Sequence, residues 1–472
     1  MRNAHPKFMC FPSVVCVGKE TEVAITPRDM NRFFHSDKKY TLAVVGLGED
    51  QESYHTPIPL DYPCQVKDGC LHFTYFFDAE QEYSIRFCEV GGKEIRISLY
   101  AVKEDLYVLR PLKGDLHSHS TYSDGSDGPA MTPADYREEG FDFFALTDHN
   151  RMYPSLLAPA LYEGIPLGIH MMAGEEIHTP GSLLHIVHVG GTKSVCNQYI
   201  HSREEYDAAV DKIAATLTHI PERYRRRMAM AVWACNEVHN AGGLAIFAHP
   251  CWCPQRYNVT REFADLLFQE KIFDAFELMG GCGDNGNNMQ LALWIEHLLK
   301  GNELPVVGSS DSHNHDYAVD KMFAKRFTLV FARENTTEAI LEAIRTGYSV
   351  SAELSPNDDT NVRFYSTQMR LVQFAHFLYN NYFSETWRLC IGEGILMRRY
   401  AEGEDVAAPL AALADTVANF YKRYYGVTPI QGIPQKRMEY LENCLQLHLN
   451  DGPVTKGSLL EILPSEKNKR QE

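Results

Sequence analysis

The chain has 472 residues, 44% of them hydrophobic and 23% charged, which is ordinary for a folded protein, long enough for two or three hydrophobic cores. Its formal charge of −17 opposes a phosphate backbone, so extended nucleic acid is not expected as a partner, and no apolar run is long enough to suggest a membrane role. Twelve cysteines form no regular framework, and no N-terminal stretch reads as a secretion signal, which favours a reducing, cytoplasmic setting. In chain order, residues 1–110 read as an all-β, sandwich-like accessory domain. Short β-rich runs at Thr21 to Ile25, Tyr40 to Val45, Leu71 to Phe77, Tyr83 to Phe87 and Ile95 to Tyr100 are punctuated by Gly, Pro and Asp. From Lys113 the rhythm changes to apolar runs ending in polar residues, alternating with helical stretches, as parallel βα units do.

The chemistry gathers in this second region, 111–355. Gly114 to Asp124 reads GDLHSHSTYSD, placing His117, His119 and Asp124 just after an apolar run. Thr132-Pro133-Ala134-Asp135 has the composition of a helix start, with the helix expected to run to Gly140. The run Phe141 to Leu146 leads into Asp148 and His149, Glu175 and Glu176 follow Gly174, and His185 sits in LLHIVHVGG with His188 three residues on. Leu244 to Ala248 leads into His249, and Leu304 to Val307 leads toward Asp311 and His313. Neutral imidazoles and carboxylates delivered repeatedly to one strand edge are what a divalent metal needs, and in (β/α) barrels the C-terminal strand ends form the active site. Beyond residue 356 the pattern is helical, with Leu410, Leu413, Val417, Phe420 and Tyr424, then Met438, Leu441 and Leu445, at three- and four-residue steps suited to packing. A charged tail follows from about Ser465.

The ordered set His117, His119, Asp124, His149, Glu176, His185, His249, Asp311 and His313 resembles the polymerase and histidinol phosphatase (PHP) family, over about Lys113 to Val350. The resemblance implies a distorted (β/α)7, TIM-like barrel holding two or three divalent metals, of which Zn, Mn and Fe all suit such donors, and it implies hydrolysis of phosphate esters. It further implies that His117, His119, Glu176 and Asp311 hold one metal, that Glu176 bridges to a second held by His185 and His249, and that Asp124, His149 and His313 take a third. Glu176 rather than Glu175, and His185 rather than His188, occupy the motif's places. A metal lowers the pKa of its bound water to about 7 and neutralises phosphoryl oxygens, so a hydroxide bridging the metals at Glu176 is the expected nucleophile. Asp148 and His313 are candidate acids for the leaving group, with Asp148 alternatively an acceptor that orients a histidine.

The expected function is therefore a metal-dependent phosphoesterase for a small phosphorylated metabolite or nucleotide. An oligonucleotide exonuclease, a C–N bond hydrolase and a non-catalytic metal- or ligand-sensing protein are alternatives that the same residues leave open. Arg225, Arg226 and Arg227, with Arg223, form a basic cluster that could grip a phosphate or could be a solvated helix face paired with acids. Cys251 and Cys253 are expected to be packed thiols, Asn285, Asn287 and Asn288 to be loop and helix-start residues, and His178 to be either a neighbour of the metal ligands or a polar loop residue.

Overall fold

The structure is a computed structural model that describes residues 7–28, 33–49, 58–316, 320, 322–355, 358–440 and 442–443. It falls into two compact units, Glu104–Tyr421 and a second that joins Ala4–Lys103 to the chain from Lys422 onward. Leu441, Leu445 and the tail from Ser465 lie outside the described residues. No helix among the described residues is long and apolar enough to cross a membrane.

In the N-terminal unit the expected strands form and extend by a few residues. Lys19–Pro27, Cys70–Phe77 and Gln65–Lys67 join Phe8–Phe11 in one four-stranded sheet, and Tyr40–Gly46, Gln81–Glu89 and Ile95–Val102 join Val14–Cys16 in another. Period-two alternation in Gln81–Glu89 turns Tyr83, Ile85 and Phe87 to one face, where they share a core with Val23, Ile25, Leu71 and Phe73 of the other sheet. Val14–Cys16 pairs parallel with the last strand, a departure from uniformly antiparallel pairing. Ile433, from the returning C-terminal segment, is buried with Ala24 and Cys70, and its N–H donates to the Asp68 carbonyl at 2.8 Å.

The larger unit is a mixed α/β structure built on two sheets. One, of six strands, runs in the order His170–Met172, Phe143–Ala145, Arg110–Asp115, Arg326–Ala332, Ser349–Ser355, Asp358–Tyr365. The other, of five, runs Gly174–His178, His185–Val189, Leu244–Phe247, Ala275–Met279, Val306–Gly308. The described strands thus pair as two sheets, and no continuous ladder closes the expected barrel. Two isolated bridges, Ser118 with Ser312 and His149 with Glu176, link the sheets at the edge where the histidines lie. One core lies between these sheets, with Leu112, Phe143 and Val330 from the first packed among Val187, Leu244, Ile246 and Val307 from the second.

Two further expectations are corrected. The helix near Thr132 spans Thr132–Glu138 with Met131 at its cap position, and Thr132 Oγ1 donates back to the Gly128 carbonyl instead of capping. Residue 356 does not begin a separate helical region. The strand Asp358–Tyr365 pairs antiparallel with Ser349–Ser355, and the helices Met369–Leu378 and Ser384–Ala401 belong to the same unit as the histidines. The long helix is tied in by charge. Glu393 accepts from Arg137 Nε at 2.7 Å and from the Gly168 N–H at 2.5 Å, with both charged side chains fully buried.

Candidate metal centre

The backbone assembles the site before any side chain does. The Asp311 N–H donates to the His117 carbonyl at 3.0 Å and the His119 N–H to that of Ser312 at 2.9 Å, clipping the His-x-His segment to the Asp-x-His segment. The Asn150 N–H donates to the Glu176 carbonyl at 2.8 Å, and the Glu176 N–H to that of Asp148 at 3.2 Å. Asp311 and Asn150 both take left-handed backbone, with φ of 52° and 56°. This region is costly for most residues and tolerated best by Asp and Asn. A Cβ at Gly281 would lie 2.2 Å from Asp311 Oδ2, so only glycine lets that loop approach the carboxylate.

Strand parity decides which acid and which histidine face the cluster. Gly174–His178 and His185–Val189 pair antiparallel with His178 opposite His185 and Glu175 opposite His188. Glu176, His178 and His185 therefore share one face, while Glu175 and His188 share the other. There Glu175 accepts from the Val195 N–H and Ser194 Oγ at 2.6 Å each and from His188 Nδ1 at 3.0 Å. The antiparallel turn also explains why His185 opens its strand whereas His249 follows one: both lie at the same edge.

Glu176 is fully buried at the centre of six imidazoles. Its Oε1 lies 2.7 Å from His185 Nδ1 and 3.3 Å from His249 Nε2. Its Oε2 lies 2.5 Å from His149 Nδ1, 3.3 Å from His178 Nε2, 3.5 Å from His117 Nε2 and 3.6 Å from His119 Nε2. Asp311 Oδ1 stands 3.0 Å from His119 Nε2 and 3.2 Å from His117 Nε2. On the solvent side Asp124 Oδ1 is 3.3 Å from both His149 Nε2 and His313 Nε2. All nine sequence-selected metal residues are thus brought together, and Glu175 and His188 are not among them.

Charge in this cluster is balanced by mutual neighbours. Burial pushes the Glu176 carboxyl up, but His185 and His117 outweigh it and hold it well below the usual carboxylate range. Asp311 is held low in the same way against burial, by His117 and His119. Burial lowers His185 to about 4, whereas His249, also opposed by burial, is raised to about 9 by Glu176 and Asp311.

The donor set fits divalent metal. His149 Nδ1, Glu176 Oε2, His178 Nε2, His185 Nδ1 and His249 Nδ1 are buried without a hydrogen-bond partner. Buried polar atoms normally find one, because an unsatisfied group costs about 1–3 kcal/mol. All five residues belong to subsets of three or four His, Asp and Glu side chains whose ligand atoms fall within 4.8 Å of one another, a spacing that a cation satisfies: His119, Asp124, His149 and His313; His117, His119 and Glu176; His149, Glu176 and His178; Glu176, His185 and His249.

Asp148 does not face the cluster. Its oxygens accept from the Ser120 N–H at 2.9 Å, Ser120 Oγ at 2.7 Å and Ser123 Oγ at 2.5 Å, and Ser123 Oγ also lies 3.3 Å from His119 Nδ1. It holds the turn that carries His119, the orienting alternative. His313 donates from Nδ1 to the Asp311 carbonyl at 2.8 Å, leaving Nε2 toward Asp124. The arginine cluster lies on helix Glu222–Asn240: Arg226 pairs with Asp207 at 2.8 Å and with Asp211, Arg223 with Glu262, and Arg225 reaches the Ile220 carbonyl at 3.4 Å. Arg227 is exposed. This is the solvated, acid-paired face. Asn287, at the start of helix Gly283–Leu299, exchanges two hydrogen bonds with Gly280, in keeping with helix-start chemistry.

Glu277 was missed. It is buried in strand Ala275–Met279, and its Oε2 lies 2.8 Å from His117 Nδ1, turning Nε2 toward Asp311 and Glu176. The signal was present in the sequence: a lone carboxylate inside the apolar run AFELM.

Fold and site together define an α/β protein with a histidine–carboxylate metal centre at the meeting edge of two sheets. No protein-family model and no curated protein matches the sequence. Among solved structures the chain is similar to a two-domain protein from Bacteroides vulgatus containing a predicted PHP-like metal-dependent phosphoesterase, at 21% identity and a TM-score of 0.37. That match covers 52% of this chain and 65% of the other. It is also similar to a Bifidobacterium adolescentis protein provisionally described as a metal-dependent phosphoesterase, at 18% identity over 42% of this chain and 87% of that one, with a TM-score of 0.31. A third is an amidohydrolase from Chromobacterium violaceum with bound sulfate and no metal, at 21% identity over 43% of this chain and 87% of that one, with a TM-score of 0.29.

Proposed function

We propose that the protein is a metal-dependent phosphoesterase acting on a small phosphorylated metabolite or nucleotide. The observation that carries this reading is the enclosure of the buried Glu176 carboxylate by six imidazoles, several with unpartnered nitrogens. In this reading the two sheets are the halves of a distorted barrel, and the paired N-terminal sheets are a sandwich-like accessory domain. His117, His119, Glu176 and Asp311 would hold one metal, His185 and His249 with Glu176 a second, and Asp124, His149 and His313 a third. Divalent ions there would supply Lewis acidity toward phosphoryl oxygens and acidify water.

The chain's own groups do the rest. Glu277 fixes the His117 ring and Asp148, through Ser123, fixes that of His119, so the donors are held before anything binds. Asp124, His149 and His313 are the most exposed members of the set, so substrate arriving from solvent meets them first. With Asp148 engaged elsewhere, His313 is the remaining candidate acid, and its Nε2 would give a proton to a leaving oxygen only where it is not itself holding the third metal beside Asp124. Metal analysis of the purified protein, with phosphate release from a metabolite and nucleotide panel before and after chelation, tests the reading. Two or three metals and chelator-sensitive release support it. Metal without phosphate release from any phosphorylated compound overturns it in favour of C–N hydrolysis or sensing.

A further inference from the structure

We propose that His178, outside the nine residues implied by the PHP resemblance, is itself a metal ligand, and that it makes the Glu176 side of the centre a nitrogen-rich site for a Zn2+-class ion. The inference rests on the reading of this cluster as a metal centre. Three observations converge on it. Strand parity places His178 on the same face as Glu176 and directly opposite His185. Its Nε2 is buried without a hydrogen bond and stands 3.3 Å from Glu176 Oε2, the oxygen that His149 Nδ1 also approaches, at 2.5 Å. Its ring is stacked on that of His185 with centroids 3.8 Å apart and lies 4.5 Å from that of His149.

The arrangement is hard to sustain without a cation. Three imidazole nitrogens converge on the two oxygens of one buried carboxylate, and three of the atoms at that meeting point, His149 Nδ1, His178 Nε2 and His185 Nδ1, are buried without a hydrogen-bond partner. Ordinary ring packing accounts for the stacking on His185 but not for an unpartnered buried nitrogen, which costs about 1–3 kcal/mol. A single ion accepting from His149 Nδ1, Glu176 and His178 satisfies all three, with His149 then serving this ion in place of the Asp124 position, and the ligand atoms of the three residues lie within 4.8 Å of one another. Adding His178 raises the imidazole share of the donors around Glu176. Imidazole suits Zn2+ and Co2+, whereas carboxylate and water suit Mn2+ and Mg2+.

Cobalt provides the test, because its visible absorption reports ligand number and type and needs no turnover. The metal-free full chain is titrated with Co2+ as wild type, His178→Ala and His178→Asp, with folding followed in parallel by circular dichroism. Wild type should develop d–d bands, and His178→Ala should change their position and weaken Co2+ binding by more than about tenfold, since even the hydrogen-bond partners of metal-ligating histidines are worth about 10- to 100-fold. His178→Asp should move preference from Co2+ toward Mn2+, and imidazole added to His178→Gly should restore the wild-type bands. Unchanged cobalt spectra and affinity in a folded His178→Ala overturn the ligand assignment and leave the proposed function standing. A wild-type chain that takes up no cobalt overturns both.

Discussion

Removing the carboxylate of Glu393 should cost the larger unit a substantial part of its stability, and the structure says roughly how much. Arg137 and Glu393 are both fully buried, joined at 2.7 Å, and they link helix Thr132–Glu138 to helix Ser384–Ala401. Arg137 Nη1 also donates to the Phe141 carbonyl at 2.8 Å, while Asp142 Oδ1 stands at 3.6 Å as a weaker second anion. In Glu393→Ala the guanidinium stays buried with Asp142 as its nearest anion, and the Gly168 N–H loses its acceptor. Breaking a buried pair typically costs about 3–5 kcal/mol, and the remaining Asp142 points to the lower end, about 3 kcal/mol. Glu393→Gln keeps one oxygen where the Arg137 Nε–H and the Gly168 N–H now use separate ones, so one donor stays partnered while the other meets the amide NH2, and this variant should also destabilise. Replacing both partners, Arg137→Met with Glu393→Leu, should cost less than the two single changes together by about 2 kcal/mol or more. All four tryptophans of the chain, Trp233, Trp252, Trp294 and Trp387, lie in the larger unit, so urea unfolding followed by tryptophan fluorescence isolates it. A Glu393→Ala protein within about 0.5 kcal/mol of wild type, the range of an ordinary surface change, would refute the reasoning, as would simple additivity in the double variant.

His117→Ala and Asp311→Asn should each abolish chelator-sensitive phosphate release while leaving circular dichroism unchanged, and full activity in both would sink the site assignment. Asp148→Asn should weaken metal binding through the Ser120–Ser123 turn without moving the limb of the pH–rate profile that reports the proton donor. Loss of that limb would restore Asp148 as an acid. Asp105 is held down at about 2 by Arg370, with Tyr348 adding a hydrogen bond. Its folded value lies below its unfolded one, so its contribution is complete above about pH 4 and is lost as pH falls toward 2. The carboxylate is partly exposed, which limits the contribution to about 1 kcal/mol or less. The gap in urea midpoint between wild type and Asp105→Asn should therefore be small and narrow further in acid, and a gap that widens there contradicts the pairing.

The ligand set was legible because chemistry of this kind leaves a local trace: an apolar run, then an imidazole or carboxylate. His117, His149, His249 and Asp311 all follow strands in that way. His185 could be placed by motif but not explained until the antiparallel pairing of Gly174–His178 with His185–Val189 was seen, because parallel units were the expectation. The two-sheet arrangement and the integration of helix Ser384–Ala401 depend on partners distant in sequence, such as Arg137 with Glu393, which no local pattern announces. The arginine cluster was left open between a phosphate grip and a solvated face, because density of charge is visible in a sequence, whereas the acids that neutralise it, Asp207, Asp211 and Glu262, are identified only in space.

Glu175 and His188 are the mirror of Glu176 and His185, one carboxylate and one imidazole on the reverse side of the same two strands. A slip of one residue would exchange the two sets, turning Glu175 and His188 toward the histidine cluster and sealing the working carboxylate against Ser194 and Val195. The hydrogen bonds that Glu175 collects therefore act as a ratchet pawl: they give the pairing one permitted tooth, and contacts on the reverse face keep the working face in register.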